Sequence, residues 1–540
     1  MYRSKSFTRR EALKLGALGS AGLLLPLERY AGAAGGVSAN RMPSSGLPAP
    51  FSLPLRIPPV LSPVRTDATT DYYRLVQQQA LVEILPGKQT AIFGYNGITP
   101  GPTIMAERDR PVVVQHINSL PPVHPTLGYT PYASVHLHGS PSLPEYDGYA
   151  SDVIQPGQWK NYHYPNNHPA CTFWYHDHAV GITAENAYFG LAAMYQLHDD
   201  QERSLGLPSG AYDVPLIIKD VMFAKDGSLI FDDRDHSGLF GDVILVNGVP
   251  WPAMRVERRK YRFRMLNASV SRSYRFRLST GEPFTMIAGD SGFGPVPQPV
   301  GDFRHAMAER YEMIIDFSKY QIGQRVVLQN LQPKNNIEFD NTDKVMAFDV
   351  VAEASTLEGN TIPAQLNPAG ATMALTEADA VRSRKFEFVR KHGQWTINGR
   401  TWADVIASNF TLLEAHPGFN DVEIWEFKNT SGGWFHPVHI HLIDFRILSR
   451  TGTKRVGVQP YERGPKDVVY VGENETVRVA MRFGGPSAGD GWQRPRGRYM
   501  MHCHNLVHED HDMMVQFEVG TGGHDPITTD PARNGPPPEV

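Results

Sequence analysis

Histidines arranged as His-x-His are the residues best suited to chemistry in this chain. The 540 residues include 21 histidines, and four such pairs occur, at His136/His138, His176/His178, His439/His441 and His502/His504. On a β-strand, residues i and i+2 point to the same face, so each pair offers two imidazoles to one site. Neutral imidazole binds copper, zinc, iron or nickel, and the pattern therefore predicts a transition-metal protein.

The last two pairs are accompanied by further potential ligands. One more imidazole, His436, precedes the third pair, and another, His508, follows the fourth pair. The fourth pair also encloses Cys503, and Met513 follows in the same segment. A thiolate, two imidazoles and a distant thioether form the ligand set of a blue-copper site. Zinc also binds Cys and His, but it would not need eight further histidines and it transfers no electrons.

Repeated Asn-Gly turns indicate the elements that must position these ligands. They begin at residues 96, 247 and 398, so successive turns are 151 residues apart. Each turn precedes a run of β-branched and aromatic residues, and these runs end at Asn118, Asn267 and Asn429. Each repeat therefore predicts a β-sandwich of short strands. Helical periodicity is scarce, and residues 184–196 fit either a short helix or a strand.

The composition fits three such globular domains. Hydrophobic residues make up 41% and charged residues 20%, which excludes a largely disordered chain. The formal net charge of −4 provides no bulk basic charge, so no nucleic-acid partner is expected. The two cysteines exclude a disulfide framework, and Cys171 is expected to be a buried, unreactive thiol.

The N-terminal residues have the pattern of an export signal. Arg9-Arg10 precedes an apolar run, Leu15 to Leu27, which is too short to span a bilayer, and Ala31-Gly32-Ala33 fits a cleavage site. We therefore expect a twin-arginine signal peptide and a periplasmic, cell-surface or extracellular location. No later stretch is apolar enough for a membrane helix, so stable membrane insertion is not expected.

The predicted segments follow from the repeats and from shifts in composition. They are the signal peptide (1–34), a first domain (35–204), a second domain (205–355), a linker (356–380), a third domain (381–520) and a C-terminal tail (521–540). The linker is rich in Ala, Gly, Thr and Pro. The tail is rich in Gly and Pro, and we expect it to be poorly ordered.

The histidine segments together resemble those of multicopper oxidases of the three-domain laccase type, most of all bacterial spore-coat laccases and bilirubin oxidases. The resemblance spans about residues 60–520 and rests on four segments in this order: Val135–Gly139, Trp174–His178, His436–His441 and His502–Met514. It implies an all-β chain of three cupredoxin-like Greek-key β-sandwich domains. It also implies four copper ions, namely one type 1, one type 2 and two type 3.

The resemblance assigns the copper ligands residue by residue. The type 1 copper would be bound by His436, Cys503 and His508, with Met513 as the axial ligand. The type 2 copper would be bound by His136 and His439, and the type 3 pair by His138, His176, His178, His441, His502 and His504. These ligands come from the first and third repeats, so the three-copper cluster is expected between domains 1 and 3, with domain 2 as a spacer. Which type 3 histidines share a copper stays open.

Two methionines compete for the axial position, because Met514 directly follows Met513. Adjacent residues of a strand face opposite ways, so both cannot approach the same copper. The spacing from His508 that the resemblance implies selects Met513. Met514 is then expected to pack into the core of domain 3.

The resemblance implies an oxidase that takes single electrons from a small-molecule reductant and reduces molecular oxygen to water with four electrons. Expected reductants are phenols, aromatic amines or bilirubin-like compounds, and the alternative is a metal oxidase acting on Cu(I), Fe(II) or Mn(II). Similar enzymes place acids near the cluster, which implies catalytic roles for Glu509 and Asp147. The other interpretation of each is a solvated surface carboxylate. Relatives that have lost copper serve structural roles, but the complete ligand set argues against that function.

Overall fold

The computed structural model describes residues 40–540 except for residues 235, 334–335, 453 and 485–494. The expected signal peptide, 1–34, lies outside the described residues. About 42% of the chain is strand and 9% is helix, so the all-β prediction is confirmed. Within the described part of the chain, no helix is long and apolar enough to cross a membrane.

The first β-sandwich consists of the N-terminal strands. They are β1 (Arg65–Thr66), β2 (Asp71–Val82), β3 (Thr90–Tyr95), β4 (Ile104–Glu107), β5 (Val112–Ser119), β6 (Val135–His138), β7 (Trp159–Tyr164), β8 (Cys171–Asp177) and β9 (Ala192–His198). One sheet has the order β1-β2-β5-β7 with β3 also paired to β2, and the other has the order β4-β9-β8-β6. Helix α1 (Thr183–Phe189) precedes β9, and α2 (Asp200–Ser204) follows it. Residues 184–196 are thus mostly a helix followed by a strand.

The second β-sandwich follows directly. Its strands are β10 (Asp213–Val221), β11 (Val243–Val246), β12 (Val249–Pro250), β13 (Ala253–Arg258), β14 (Lys260–Asn267), β15 (Tyr274–Leu278), β16 (Phe284–Gly289), β17 (Gly292–Val300), β18 (Phe303–His305), β19 (Arg310–Asp316), β20 (Arg325–Asn330) and β21 (Lys344–Glu353). The sheet orders are β12-β11-β10-β14-β19-β16-β17 and β13-β21-β20-β15-β18. Its apolar core is continuous with that of the first sandwich.

The third β-sandwich has a separate apolar core. Its strands are β22 (Arg382–Lys391), β23 (Gln394–Ile397), β24 (Asp421–Asn429), β25 (His436–Ile440), β26 (Phe445–Thr451), β27 (Val468–Val471), β28 (Thr476–Phe483), β29 (Gly497–Cys503) and β30 (Met514–Val519). The sheet orders are β23-β22-β24-β28-β26 and β27-β25-β29-β30. Helix α3 (Ala371–Ala374) precedes these strands, α4 (Trp402–Ala407) follows β23, and α5 (Leu506–Asp510) joins β29 to β30. The domain boundaries to the residue stay a prediction.

The three Asn-Gly turns have the same conformation and the same hydrogen bonds. The asparagines have φ of 51–54° and the glycines that follow have φ of 73–77°, as type I′ hairpin turns require. Each asparagine donates its backbone N–H to a carbonyl of the first long strand of its sandwich and accepts that residue's N–H with its side-chain oxygen. The pairs are Asn96 with Val76, Asn247 with Ile217, and Asn398 with Glu387. The 151-residue repeat is therefore a structural repeat.

The asparagines that end the predicted β-runs also have one shared role. The side-chain amide of each donates hydrogen bonds to backbone carbonyls, and its oxygen accepts the N–H two residues further on. In the third sandwich, Asn429 Nδ2 donates to the carbonyls of Trp434 and Val471 at 2.7 and 3.2 Å. This asparagine thereby fixes the loop that leads directly into His436.

The C-terminal segment lies along the first sandwich, so the prediction of poor order was wrong. The backbone of Arg533 exchanges two hydrogen bonds with Trp159 on β7, at 2.8 and 3.0 Å. His524 Nδ1 lies 2.5 Å from Glu145 Oε1, and the Pro538 carbonyl accepts from Arg74 at 3.1 Å. These specific contacts could not be predicted from a Gly- and Pro-rich composition.

We predict that Gly248→Ala destabilises the protein more than Gly399→Ala. Both glycines have positive φ, +77° and +74°, and left-handed backbone costs alanine about 1–2 kcal/mol. A Cβ on Gly248 would meet the Thr99 carbonyl oxygen at 2.6 Å, whereas a Cβ on Gly399 would meet nothing within 4 Å. Urea unfolding of both variants measures the difference. Equal losses would contradict a role for close packing against Thr99.

Candidate metal centre

Strand alternation divides the predicted ligands of the third sandwich between two sites. On β29, Cys503 belongs to the apolar core of the sandwich. His502 and His504 have the opposite parity and lie beside histidines of the first sandwich. On β25, His436 lies against Cys503, whereas His439 faces the first sandwich and lies against His138. One pair of adjacent strands thus supplies an internal site and an interfacial site.

The internal site brings together the thiol and two imidazoles predicted for type 1 copper. His436 Nδ1 lies 3.2 Å and His508 Nδ1 3.6 Å from Cys503 Sγ, and the two nitrogens are 3.4 Å apart. On the far side, His436 Nε2 lies 2.6 Å from Ser431 Oγ, and His508 Nε2–H donates to the Ser237 carbonyl at 2.8 Å. These outer hydrogen bonds leave the Nδ1 lone pairs directed at the sulfur.

Burial determines the charge state of these groups. It lowers the pKa of His436 to about 3, so the imidazole is neutral and can act as a ligand. It also raises the pKa of the Cys503 thiol well above its usual value. A thiolate at this position therefore needs a nearby positive charge, which a bound metal ion provides. The soft sulfur and two imidazoles fit copper.

Met513 and Met514 lie in different apolar clusters. Met513 is fully buried in the core that contains Cys503, and its carbonyl oxygen accepts from the Cys503 N–H at 3.1 Å. Met514 packs with Tyr149 of the first sandwich and with Trp402. The expectation that Met514 packs into the core of domain 3 was therefore wrong, because its side of β30 faces the neighbouring sandwich.

The interfacial site contains the eight histidines of the four His-x-His pairs. All of them are buried, and their ring nitrogens form three groups whose members lie within 4.8 Å of one another. The groups are His136 with His138 and His439, His138 with His176 and His504, and His178 with His441 and His502. The last two groups divide the six histidines expected for the type 3 pair into two sets of three. This division was left open by the sequence.

Outer hydrogen bonds direct the ring nitrogens of this site inward. His136 Nδ1 and His439 Nδ1 donate to the carbonyls of Asp147 and Asp467 at 2.5 and 2.9 Å, and their Nε2 atoms are 3.4 Å apart. In the third group, His502 Nε2 lies 3.1 Å from His178 Nε2 and 3.2 Å from His441 Nε2. Neutral imidazoles in contact through these nitrogens present lone pairs that a shared metal ion satisfies.

Unpartnered buried nitrogens provide a direct test of the fit to metal ions. His138 Nδ1, His176 Nε2 and both ring nitrogens of His504 have no hydrogen-bond partner among the described residues. A buried polar atom without a partner costs about 1–3 kcal/mol. Since one nitrogen from each of these histidines belongs to the second group, the residues fit a copper ion there.

Glu509 and Asp147 are buried beside cluster histidines, so the interpretation of either as a solvated surface carboxylate was wrong. Glu509 Oε2 lies 2.9 Å from His502 Nδ1, and its other oxygen lies 3.5 Å from His178 Nδ1. Asp147 Oδ2 lies 2.8 Å from His441 Nδ1, and burial raises the pKa of Asp147 well above its usual value. Both carboxyl groups therefore contact histidines that are predicted copper ligands, and their catalytic role stays a prediction.

The middle sandwich contacts both sites, which corrects the expectation that it is only a spacer. Its Ser237 carbonyl accepts from His508, and its Arg310 binds the carboxylate of Asp467, which in turn accepts from His138 Nε2 at 3.0 Å. Ser237, Arg310 and Asp467 were not predicted from the sequence, because they belong to no motif and lie far from the predicted ligands in the chain.

Aromatic side chains surround His508 and were also not predicted. Trp395 is fully buried and stacks on the imidazole, with ring centroids 3.7 Å apart and an interplanar angle of 26°. Trp434 is partly exposed and meets the same imidazole edge-on at 5.7 Å. The guanidinium carbon of Arg390 lies 4.9 Å from the Trp395 ring centroid. Aromatic and cationic side chains therefore cover the His508 side of the internal site.

Comparisons with known proteins agree with this geometry. Two sequence profiles described as multicopper oxidase match residues 77–202 and 377–523. Bilirubin oxidase of Albifimbria verrucaria is 41% identical over 491 residues, which cover 87% of this chain and 81% of that protein. Laccase of Bacillus subtilis (strain 168) is 33% identical over 524 residues, covering 86% of this chain and 97% of that protein.

Solved structures show the same similarity. A laccase from Pediococcus acidilactici superposes with a TM-score of 0.75 at 29% identity, covering 88% of this chain and 95% of that one. The multicopper oxidase McoA from Aquifex aeolicus gives a TM-score of 0.73 at 28% identity, covering 86% and 100%. The prediction of cupredoxin-like β-sandwich domains is confirmed.

The fold, the thiolate–imidazole site and the interfacial histidines are those of a copper-dependent oxidase. The chain belongs to the multicopper oxidase family. It is an oxygen-dependent oxidoreductase that uses a reductant as its second substrate, as the resemblance of the histidine segments predicted.

We predict that Met513→Leu keeps the blue colour of the copper protein and raises the reduction potential of the type 1 copper. A thioether donates weakly and stabilises Cu(II), so its removal favours Cu(I). Met514→Leu is the matched control, since it is nearly volume-conserving and should cost less than about 1.5 kcal/mol. Redox titration of both variants measures the shift. A shift in Met514→Leu alone would place the axial ligand one residue further along.

Proposed function

We propose that the chain binds four copper ions and oxidises phenols, aromatic amines or bilirubin-like compounds with molecular oxygen. One copper would be held by His436, Cys503 and His508, with Met513 beside them, and three by the interfacial histidines. The observation that carries the substrate class is the aromatic region around His508. Similarity to bilirubin oxidase and laccase over most of the chain supports the same class.

The burial of the internal site limits how a reductant approaches. His436 and His508 are fully buried, so a reductant must meet the side chains around them. The partly exposed Trp434 lies edge-on to both His508 and Trp395, at 5.7 and 5.9 Å. An aromatic reductant can stack on such an indole and come close enough for outer-sphere electron transfer. The nearby Arg390 favours reductants that carry a phenolate or carboxylate group.

The two metal sites are joined by a single tripeptide. Copper held by these residues would supply one-electron chemistry at the Cys503 site and the electrons for oxygen reduction at the interface. Cys503 lies between His502 and His504, which belong to different interfacial groups. The backbone of three residues therefore fixes the separation of the two sites. Glu509 Oε2 lies 2.9 Å from His502 Nδ1. Burial opposes its ionisation, but His502 and His178 outweigh burial and lower the pKa of Glu509 to about 2, so its carboxylate would accept protons and pass them on during this reaction.

We also propose export by the twin-arginine route. The support is the sequence alone, with Arg9-Arg10 ahead of a short apolar run and a small-residue cleavage site. This route carries folded proteins, which suits a chain whose ligands meet only after two separate sandwiches have folded. Cellular fractionation of the full-length protein and of an Arg9→Lys, Arg10→Lys variant tests the proposal.

We predict that the copper-loaded protein is intensely blue and oxidises a phenol and bilirubin faster than Cu(I), Fe(II) or Mn(II). The aromatic region around His508 offers stacking to the organic reductants. Cys503→Ser should abolish the colour and all of these activities while preserving the fold, because it removes the soft thiolate. Metal analysis, visible absorption and steady-state rates with each reductant provide the measurements.

Cys171→Ser is the matched control, since Cys171 is the other buried cysteine and its sulfur contacts His168, which is not a predicted copper ligand. It should leave the colour and the preference among reductants unchanged. Zinc in place of copper, or a colourless copper-loaded protein, would contradict the proposed chemistry. Faster oxidation of a metal ion than of either organic reductant would make the chain a metal oxidase.

We predict that Glu509→Gln slows reoxidation by oxygen more than it slows reduction of the type 1 copper. The glutamine keeps the shape of the side chain but cannot hold the proton that oxygen reduction consumes. Anaerobic stopped-flow reduction followed by mixing with oxygen separates the two half-reactions. Glu518→Gln, on β30 and partly exposed, is the control and should change neither. Unchanged reoxidation in Glu509→Gln would limit Glu509 to orienting His502.

A further inference from the structure

A buried ion pair connects the middle sandwich to a cluster histidine. Arg310, the first residue of β19, is fully buried and contacts the carboxylate of Asp467 with both terminal nitrogens, at 2.7 and 2.5 Å. Asp467 Oδ1 in turn accepts a hydrogen bond from His138 Nε2 at 3.0 Å. Three residues from three different sandwiches are thus joined through one carboxylate.

The hydrogen bond from His138 is the reverse of those made by its neighbours. His136, His439 and His441 donate through Nδ1 and leave Nε2 facing the cluster. His138 donates through Nε2, and its Nδ1 has no partner among the described residues. A neutral imidazole carries one N–H, so the carboxylate that binds Nε2–H leaves the lone pair on Nδ1. The side chain of Asp467 therefore selects the ligand atom of His138.

We propose that Arg310, acting through Asp467, is a positioning residue that holds His138 with its Nδ1 lone pair directed at the metal ion of the His138–His176–His504 group. The middle sandwich thereby takes part in holding the interfacial copper cluster. This inference rests on the proposal that these histidines bind copper.

Arg310 is held in one orientation by all five of its side-chain N–H groups. Nε donates to the Thr172 carbonyl at 2.9 Å, and the terminal nitrogens also donate to the carbonyls of Ala308 and Asp290 at 3.0 Å. The remaining two N–H groups bind Asp467 as a fork. A lysine has the charge but not this planar fork, so it cannot hold the carboxylate in the same orientation.

The ion pair with Arg310 also compensates for the burial of the Asp467 carboxylate. A carboxylate without solvent is strongly disfavoured unless it is paired and hydrogen-bonded. Asp290 of the middle sandwich fixes the backbone at the same place, since its Oδ2 accepts from the N–H groups of Asp467 and Val468 at 3.1 and 3.0 Å. Lys466 Nζ lies 3.0 Å from that Asp290 oxygen and offsets its charge.

The residue after His138 provides independent support. Gly139 has φ +95°, and a Cβ there would lie 2.7 Å from Asp467 Oδ2 and 2.8 Å from Arg310 Nη2. Only a glycine therefore allows the chain to pass this close to the ion pair. The backbone that follows His138 therefore also packs closely against the Arg310–Asp467 ion pair, so the contact does not depend on the His138 side chain alone.

Asp467 also aligns a second histidine. Its backbone carbonyl accepts from His439 Nδ1 at 2.9 Å, and the rings of His138 and His439 stack with centroids 3.7 Å apart. One residue thus fixes two imidazoles that come from the first and third sandwiches. A displaced Asp467 would therefore disturb two of the three interfacial groups together.

The test compares Arg310→Lys and Asp467→Asn with Arg264→Lys in the copper-loaded full chain. Arg264 is the matched control, because it is also fully buried in the middle sandwich and ion-paired, to Asp213 and Glu202, but contacts no cluster histidine. Titration with a copper chelator measures retained copper per chain. Blue absorption reports the Cys503 site separately, and the thermal unfolding midpoint reports stability.

We expect the Arg310 and Asp467 variants to release cluster copper at about 10–100-fold lower chelator concentration, the usual effect of losing an outer hydrogen bond to a metal ligand. Blue absorption should persist, and Arg264→Lys should release copper as the wild type does. Equal copper retention in all three variants, at whatever stability, would overturn the proposal. If Arg310→Lys does not fold, the nearly isosteric Asp467→Asn decides. Wild-type protein with copper at the Cys503 site alone would instead overturn the proposed function.

Discussion

The convergence of imidazole lone pairs between the first and third sandwiches is the constraint on which the rest of the structure depends. Eight buried histidines present nitrogens to one another there, some within 3.1–3.4 Å. Such an arrangement is unfavourable without metal ions, because buried acceptors are left without donors. Copper removes that cost only when both sandwiches are in place, so metal binding and docking of the sandwiches stabilise each other.

The period of a β-strand explains how one short segment serves two sites. His502 and His504 differ from Cys503 in parity, so the cysteine enters the sandwich core while the histidines face its neighbour. His436 and His439 are three residues apart and therefore separate in the same way on the adjacent strand. Two adjacent strands thus carry residues of both the internal and the interfacial site.

The features that could be predicted from sequence are those encoded within a few residues. A His-x-His pair or an Asn-Gly turn carries its geometry locally, and the repeat spacing showed three equivalent sandwiches. Asp467 and Arg310 could not be predicted, because their contacts arise only when separate sandwiches meet. The packing of Met514 was predicted wrongly for the same reason. Strand alternation showed which face of β30 it lies on, but not which sandwich covers that face.

The middle sandwich shows how a repeat can lose its ligands and still act on the site. Its buried histidine, His305, donates to the Glu309 carbonyl at 2.7 Å and belongs to none of the three interfacial histidine groups. The next strand of the middle sandwich, β19, begins with Arg310, which contacts Asp467. The Ser237 carbonyl of the same sandwich accepts a hydrogen bond from His508. Since its apolar core is also continuous with that of the first sandwich, its position is fixed. A rigid domain that contacts both sites from outside limits the movement of their ligands without supplying any.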